Sequence, residues 1–536
     1  VNGELIIVVE VMEPIDDVTP LMAWDRPTPN ITTPSRIRII GKVLRISQGC
    51  HSRGRDGRLR TPQHTCPRTT LGRVSDFDDF IDGFYPYRKE TTNYRAIPDE
   101  PRDRADVLAE ITSMAQREDA TGDEGKVSGS LYSGDHEHYA YLGQVFSQFS
   151  HANVLQRDMY PSATKFEGEI VAMVLDLLHG DANACGVVTS GGSESLITAL
   201  YTYREAARER GVTKPNVVMP ITAHVALDKG AYWMDIEVRH APLTEGYTAD
   251  VAAMADLIDD QTIALVGSAG DYAHGLIDPI EEIAALAQER GIGMHVDGCL
   301  GGMLWPWAEE LGYDIPLWDF RVPGVTSISA DTHKYGYALK GTSTLSYRSK
   351  DLRRHQYFTY PDWPGGLYLS PGLAGSRSGG LIAATWAGMV TTGRSGYLDA
   401  ARGILETATT IREGIEAMDG LQVIGDPKFL IAFMSDRDDL DIYLVNDALK
   451  KAGWRMNALQ LPAALHFCVT RPNTRPGVAE AFLADLQTAV QYALDNTGTP
   501  AASGAMYGFG HTPQANETLN TLMSGVLDAM HEVAPQ

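Results

Sequence analysis

The chain is 536 residues long and carries 45 Lys and Arg against 69 Asp and Glu, a formal net charge of -24. Such a length exceeds one ordinary core and predicts about two to four domains. The acidic balance argues against nucleic acid as a principal partner and for a soluble protein. No apolar run approaches the roughly 18 residues needed to cross a bilayer. The longest near the start, "LIIVVEVM", is short and holds Glu10, and no charged start with an apolar run and small-residue cleavage site follows. A cytoplasmic protein without a transmembrane span is expected. The cysteines at 50, 66, 185, 299 and 468 lack metal-ligand spacing, which predicts reduced thiols and no metal site.

In chain order, residues 1–75 come first. From Pro34 to Arg73 there are ten Lys or Arg and one acid, Asp56, with no sustained period. This reads as a basic, poorly ordered arm, solvated or touching anionic lipid peripherally. Residues 76–150 form an N-terminal helical segment, with helical pattern from near Val107. In "KFEGEIVAMVLDLLHG", Phe166, Ile170, Met173 and Leu177 share one helix face. Residues 151–380 form the large domain. From Asn183 to Tyr347 strands alternate with helices: "GVVTSGG" before a helix Ser193–Arg210, then "NVVMP", "EVRHAPL", "TIALVGSAG", "GIGMHVDG" and "TSISAD". That alternation predicts an α/β fold, a mostly parallel sheet with helices on both faces. Residues 381–536 read as a smaller C-terminal α+β domain, with strands at "LQVIGD", "LIAFMSD" and "ALHFCVT" and a helix at "IYLVNDALKKAG".

Ligands on open parallel sheets bind beyond the carboxyl ends of the strands, and four candidates fall there. "TSGGSES" offers Gly192 and Ser193 at a helix N-terminus, where free N–H groups suit a phosphate; a plain helix cap fits the same residues. Asp297 ends a strand in "HVDG", where a buried acid needs a cation or a cap. His224 follows a strand in "PITAHVALDKG", as a packing residue or a ring partner. Lys334, behind His333 in "SISADTHKYGYALKGTS", ends an inner strand, with Lys340 six residues on. Together they are what pyridoxal 5'-phosphate requires. A partly desolvated lysine forms the Schiff base, an acid keeps the pyridine nitrogen protonated, an imidazole stacks, and a helix end holds the phosphate.

The blocks "VTSGGSES", "AHVALDKG", "HVDGCLGG", "SADTHKYGYALKGTS" and "AGSRSGGLIAATWAGM" resemble, in sequence and order, the group II pyridoxal-phosphate decarboxylase family, and within it the sphingosine-1-phosphate lyases. The resemblance implies the pyridoxal-phosphate-dependent transferase fold type I with a seven-stranded type of sheet. It implies Lys334 as the Schiff-base lysine with His333 beside it, Asp297 on the pyridine nitrogen, His224 on the ring, and Gly192 and Ser193 on the phosphate. Lys340, Ser376, Tyr132 in "SGSLYSG" and Asn153 in "SHANVL" match family positions on the substrate side, and Tyr507 in "GAMYGFG" matches a C-terminal loop tyrosine. The resemblance further implies a homodimer with a shared active site. One departure is clear: the family's histidine three residues after the asparagine is Gln156 here, in "NVLQRD".

The resulting expectation is a carbon–carbon lyase cleaving a phosphorylated long-chain base to phosphoethanolamine and a fatty aldehyde. An amino-acid decarboxylase on the same scaffold and a non-catalytic pyridoxal-phosphate-binding protein are the alternatives.

Overall fold

The computed structural model describes residues 85–504 and 513–532. The predicted basic arm and Tyr507 lie outside them. Arg104–Gly510 forms one compact unit, which holds the candidate site. In the second unit the described helices are Tyr87–Glu90 and Pro513–His531.

The first unit is built on a seven-stranded sheet: β1 (Cys185–Thr189), β2 (Asn216–Pro220), β3 (Glu237–Ala241), β4 (Thr262–Ser268), β5 (Gly293–Asp297), β6 (Ser327–Ala330) and β7 (Ser343–Tyr347). Their order is β1-β7-β6-β5-β4-β2-β3. Every pairing is parallel except the two made by β7, which runs against β1 and β6. Strands β1, β2, β4, β6 and β7 are buried along their whole length. Helices cover both faces, so these strands are continuous apolar or small-residue runs instead of alternating ones. Because β7 is antiparallel to both neighbours, β1 points the same way as β6. The carboxyl ends of β1, β2, β4, β5 and β6 therefore share one edge.

Three helices frame that edge: α1 (Pro161–Leu177), α2 (Gly192–Glu209) and α3 (Gly379–Glu416). Helix α1 buries Ala163, Glu167, Ile170 and Val174, while Phe166, Met173 and Leu177 pack at its margin. The apolar face is thus turned slightly from the sequence expectation, and a carboxylate lies on it. Helix α2 starts at Gly192, one residue before the expected Ser193. Its N-cap, Gly191, has φ 145° and provides no side-chain cap. Helix α3 is interrupted at Gly393, where φ 61° and ψ 172° break the helical path.

After α3 comes an antiparallel sheet of four strands, Leu421–Val423, Leu430–Ser435, Asn457–Gln460 and Ala463–Cys468. Helices Ile442–Lys451 and Val478–Asp495 accompany it. A hairpin, Phe358–Tyr360 with Tyr368–Ser370, was not foreseen; it leaves Phe358, Trp363 and Leu367 exposed. No described helix is long and apolar enough to cross a membrane.

Beyond β5 the chain turns tightly through Gly298–Gly302 against the core. Trp305 is 1% exposed and donates from its indole N–H to the Ala269 carbonyl at 3.0 Å. A Cβ at Gly301 would overlap both that carbonyl oxygen and the indole. Overpacking a fixed backbone atom destabilises by about 1–3 kcal/mol. Gly301→Ala is expected to lower the urea midpoint accordingly; an unchanged midpoint would show that the turn can shift without loss.

Candidate active site

The shared edge collects the predicted residues from separate strands. Gly192 and Ser193 follow β1, His224 follows β2, Asp297 ends β5, and His333 and Lys334 follow β6. The parallel pairing sets Asp297 opposite Ser329 of β6, so the loop bearing Lys334 leaves the sheet beside Asp297.

At the centre, Lys334 Nζ lies 2.9 Å from Asp331 Oδ2. The aspartate is 1% exposed, and its Oδ1 has no hydrogen-bond partner. Burial alone would lower the lysine's pKa, but the Asp331 charge outweighs it and holds the amine above its usual range. Burial likewise works against the charged carboxyl of Asp331, and Lys334 with His333 reverses the effect, keeping it below its usual range. The sequence reading expected a partly desolvated lysine here; an acid three residues earlier in the same loop opposes the effect of that burial on the amine.

His333 is fixed on both sides of its ring. Its Nδ1 accepts from the Thr342 N–H at 3.3 Å, which puts the neutral ring's proton on Nε2, 3.7 Å from Asp331 Oδ2. Burial lowers its pKa in spite of the acid, so the imidazole is neutral at pH 7. Asp297 is buried, and its Oδ1 accepts from the Cys299 N–H at 2.9 Å. His224 Nδ1 accepts from the Ala226 N–H at 3.1 Å, opening the helix after β2, and its ring lies 6.5 Å from that of Tyr272.

The substrate-side candidates form two pairs. Lys340 Nζ stands 4.5 Å from the centroid of the Tyr132 ring. Although the Lys340 residue is open to solvent on one side, burial of its head and the nearby Lys334 charge pull its pKa down to about 8. Tyr132 is buried, and its phenol is pushed upward and stays protonated. The second pair is Asn153, whose amide donates to Ser376 Oγ at 2.9 Å. Gln156 is exposed in the turn that follows Asn153.

The residues fit pyridoxal phosphate on three observations. The first turn of an 18-residue helix, α2, carries no side-chain cap, which leaves its amides for an anion. A Cβ at Gly192 would come within 2.9 Å of Cys299 Sγ and of the Asp331 carboxylate, so only glycine lets the backbone lie there. The orphaned, buried Asp331 Oδ1 beside Lys334 marks a polar space without a protein partner.

Residues 86–433 match the family model described as the pyridoxal-dependent decarboxylase conserved domain. The chain belongs to this family. Among its relatives, a sphingosine-1-phosphate lyase of Dictyostelium discoideum is 43% identical, with 79% of this chain and 80% of that protein covered. Sphingosine-1-phosphate lyase 1 of Rattus norvegicus is 38% identical over 84% of this chain and 79% of its own length. The solved structure of a sphingosine-1-phosphate lyase from Burkholderia pseudomallei is 46% identical with a TM-score of 0.78, covering 84% of this chain and 99% of that one. A glutamate decarboxylase from Lactobacillus brevis, 22% identical with a TM-score of 0.65 over 78% of this chain and 99% of its own, shares the fold. Pyridoxal phosphate is accordingly the cofactor of this family.

Sequence reasoning assigned no role to Asp331, Glu167 or Arg377 and read Glu194 only with the helix cap. Asp331 had a signal, an acid at the end of a buried strand three residues before the lysine. Glu194 and Arg377 stand inside the blocks that carry the family resemblance, whereas Glu167 had no signal outside its contacts.

Two outcomes test the centre. Lys334→Ala should abolish borohydride fixation of pyridoxal phosphate to the chain; fixation mapped to Lys340 or Lys229 would overturn the assignment. In Asp331→Asn the lysine loses the charge that raises its pKa, and burial then lowers it. Borohydride-trapped labelling of Lys334 should begin at lower pH than in the parent protein, and an unmoved onset would mean that the ion pair does not govern the amine.

Proposed function

We propose that the protein is a pyridoxal-phosphate-dependent carbon–carbon lyase that cleaves a phosphorylated long-chain base, sphingosine 1-phosphate or a close analogue, to phosphoethanolamine and a long-chain aldehyde. The observation that carries the reading is Lys340. A second lysine sits close enough to Lys334 to feel its charge, over a buried aromatic ring, with its pKa drawn down to about 8. Two buried-side cations repel unless each meets an anion. Asp331 answers Lys334; a substrate phosphate answers Lys340. Relatives at 38–46% identity over most of the chain carry the name of that lyase.

Gly192 and Ser193 would hold the cofactor phosphate, Asp297 its ring nitrogen, His224 its ring face and Lys334 its aldehyde carbon. When bound, pyridoxal phosphate supplies the electron sink for the pair released by the breaking bond. The chain's own residues do the rest. The Asp297 carboxylate, fixed by the Cys299 N–H, favours positive charge in front of β5. His333 keeps its proton on Nε2 and so donates in this site. Asn153 and Ser376 present an amide and a hydroxyl to the phosphate, and Lys340 presents charge. Holding the phosphate on the neighbouring carbon in this way fixes which bond at the amine-bearing carbon stands in line for cleavage. An amino acid without an anion on its side chain would make no use of Lys340, which disfavours that form of the decarboxylase reading.

We also place the protein as a homodimer in the cytoplasm. The exposed Phe358, Trp363 and Leu367 of the hairpin support the assembly, since apolar groups clustered on a surface favour association. Sedimentation of the holoprotein as a monomer would remove it.

Lys340→Ala should lower kcat/KM for a phosphorylated long-chain base roughly 10- to 150-fold, the loss of a charged hydrogen bond of about 1.5–3 kcal/mol. An unphosphorylated amine should be unaffected. In the parent protein the affinity for the phosphorylated base should fall as pH rises through about 8, where free Lys340 loses its proton. That slope should vanish in Lys340→Ala. Equal damage to both substrates would assign the lysine to the fold and put the decarboxylase first.

A further inference from the structure

Two buried glutamates tie the segment bearing Ser376 to the strand and helix that bear the cofactor amides. Glu194, in the first turn of α2, is 7% exposed. Its Oε2 accepts from the Ser190 N–H at 2.7 Å, and its Oε1 accepts from the Leu373 N–H at 3.0 Å. One side chain therefore bridges the loop after β1 and the segment Pro371–Ser378.

Glu167 repeats the bridge from α1. It is 6% exposed and accepts from Arg377 at 2.8 and 3.2 Å, from Arg157, and from the Val188 N–H of β1 at 3.3 Å. Arg377 also donates to the Val188 carbonyl at 2.9 Å. Its backbone N–H donates to Asn153 Oδ1 at 3.2 Å, and Asn153 in turn donates to Ser376. Burial works against the charged form of Glu167, yet Arg377 and Arg157 outweigh it and keep the carboxyl below its usual range. A buried carboxylate lowers the energy of a fold only when it is fully paired. Here the partners belong to the very loops that carry the anion-binding side chains.

We propose that Glu194 and the Glu167–Arg377 pair are positioning residues for the substrate anion. They set the separation between the α2 amides, where the cofactor phosphate belongs, and the Asn153–Ser376 pair, where the substrate phosphate belongs. Neither glutamate touches the substrate in this arrangement; both act through backbone N–H groups and a guanidinium. A substrate whose amine and phosphate stand on neighbouring carbons is read by the short distance between its two anchors, so a loosened segment weakens recognition before it weakens chemistry. The inference rests on the lyase reading for the identity of the anion.

Two variants test it. Glu194→Gln keeps the shape but has one acceptor oxygen for two N–H donors. Arg377→Lys keeps the charge but cannot reach two carboxylate oxygens and a carbonyl with a planar fork. In the cofactor-free protein, hydrogen–deuterium exchange of peptides covering 371–378 should quicken in both. In the holoenzyme, KM for a phosphorylated long-chain base should rise about 10-fold with kcat within about 3-fold. Inhibition by phosphoethanolamine should weaken in the same proportion, and turnover of an unphosphorylated amine should hold. Unchanged exchange overturns the proposal, as does a joint fall of kcat and pyridoxal phosphate retention with every substrate, the mark of a merely structural role. Parent protein that does not cleave the phosphorylated base removes the lyase reading alone, and the exchange result then decides the brace.

Discussion

The ion pair between Asp331 and Lys334 is the contact from which the rest of the site is set out. An isolated carboxylate this deeply buried is strongly disfavoured, and an isolated ammonium likewise. Joined at 2.9 Å, they are stable and define one conformation for the loop between β6 and β7. The same carboxylate lies against the Cα of Gly192 at the start of α2, so it also fixes how near the helix amides come to the lysine. Because the loop is fixed, His333 is held between the Thr342 N–H and Asp331, and Lys340 is carried to the ring of Tyr132.

The single antiparallel strand makes this possible. Were β7 to run with its neighbours, a crossover helix would separate it from β6, and the lysine loop could not be the short connection that it is. The reversal lets the chain leave β6, place two lysines and a histidine in twelve residues, Asp331–Thr342, and return at once. It also restores β1 to the direction of β6, which brings the uncapped start of α2 to the edge where Asp297 ends β5.

Much of this was legible in the sequence. The strands were runs of Val, Ile, Ala and Ser bounded by glycine, because both sheet faces are covered and no alternation is required. Lys334, Asp297 and His224 were legible because each stands immediately after such a run, where topology puts ligands. Asp331 was legible only as a neighbour, since nothing in one sequence says that it is the acid to which Lys334 pairs. Glu167 was not legible at all. A period of 3.6 marks Phe166, Ile170, Met173 and Leu177 as one face, but the buried acid Glu167 becomes sensible only through Arg377, 210 residues away. The start of α2 was misplaced by one residue because Ser193 looks like a cap, whereas Gly191, at φ 145°, makes the turn without one.

The division between legible and hidden parts follows the division of chemistry. The edge itself is a property of the sheet, and the fold that builds it is shared with structures at 22% identity or less. In the proposed function the choice of bond to be broken rests on the loops at Tyr132, Asn153 and Leu373–Arg377 and on Lys340, which no strand dictates. Here electrostatics adds a constraint of its own. Lys340 is drawn down to about 8 by burial and by Lys334. A phosphate beside it stabilises the charged form and lifts that pKa again. If Lys340 meets the substrate phosphate as proposed, the protein takes up a proton on binding above about pH 8, whereas a ligand without the anion leaves Lys340 as it was. In that reading, recognition of the phosphate and protonation of Lys340 are one equilibrium, because burial first and the Lys334 charge second draw the free lysine's pKa down.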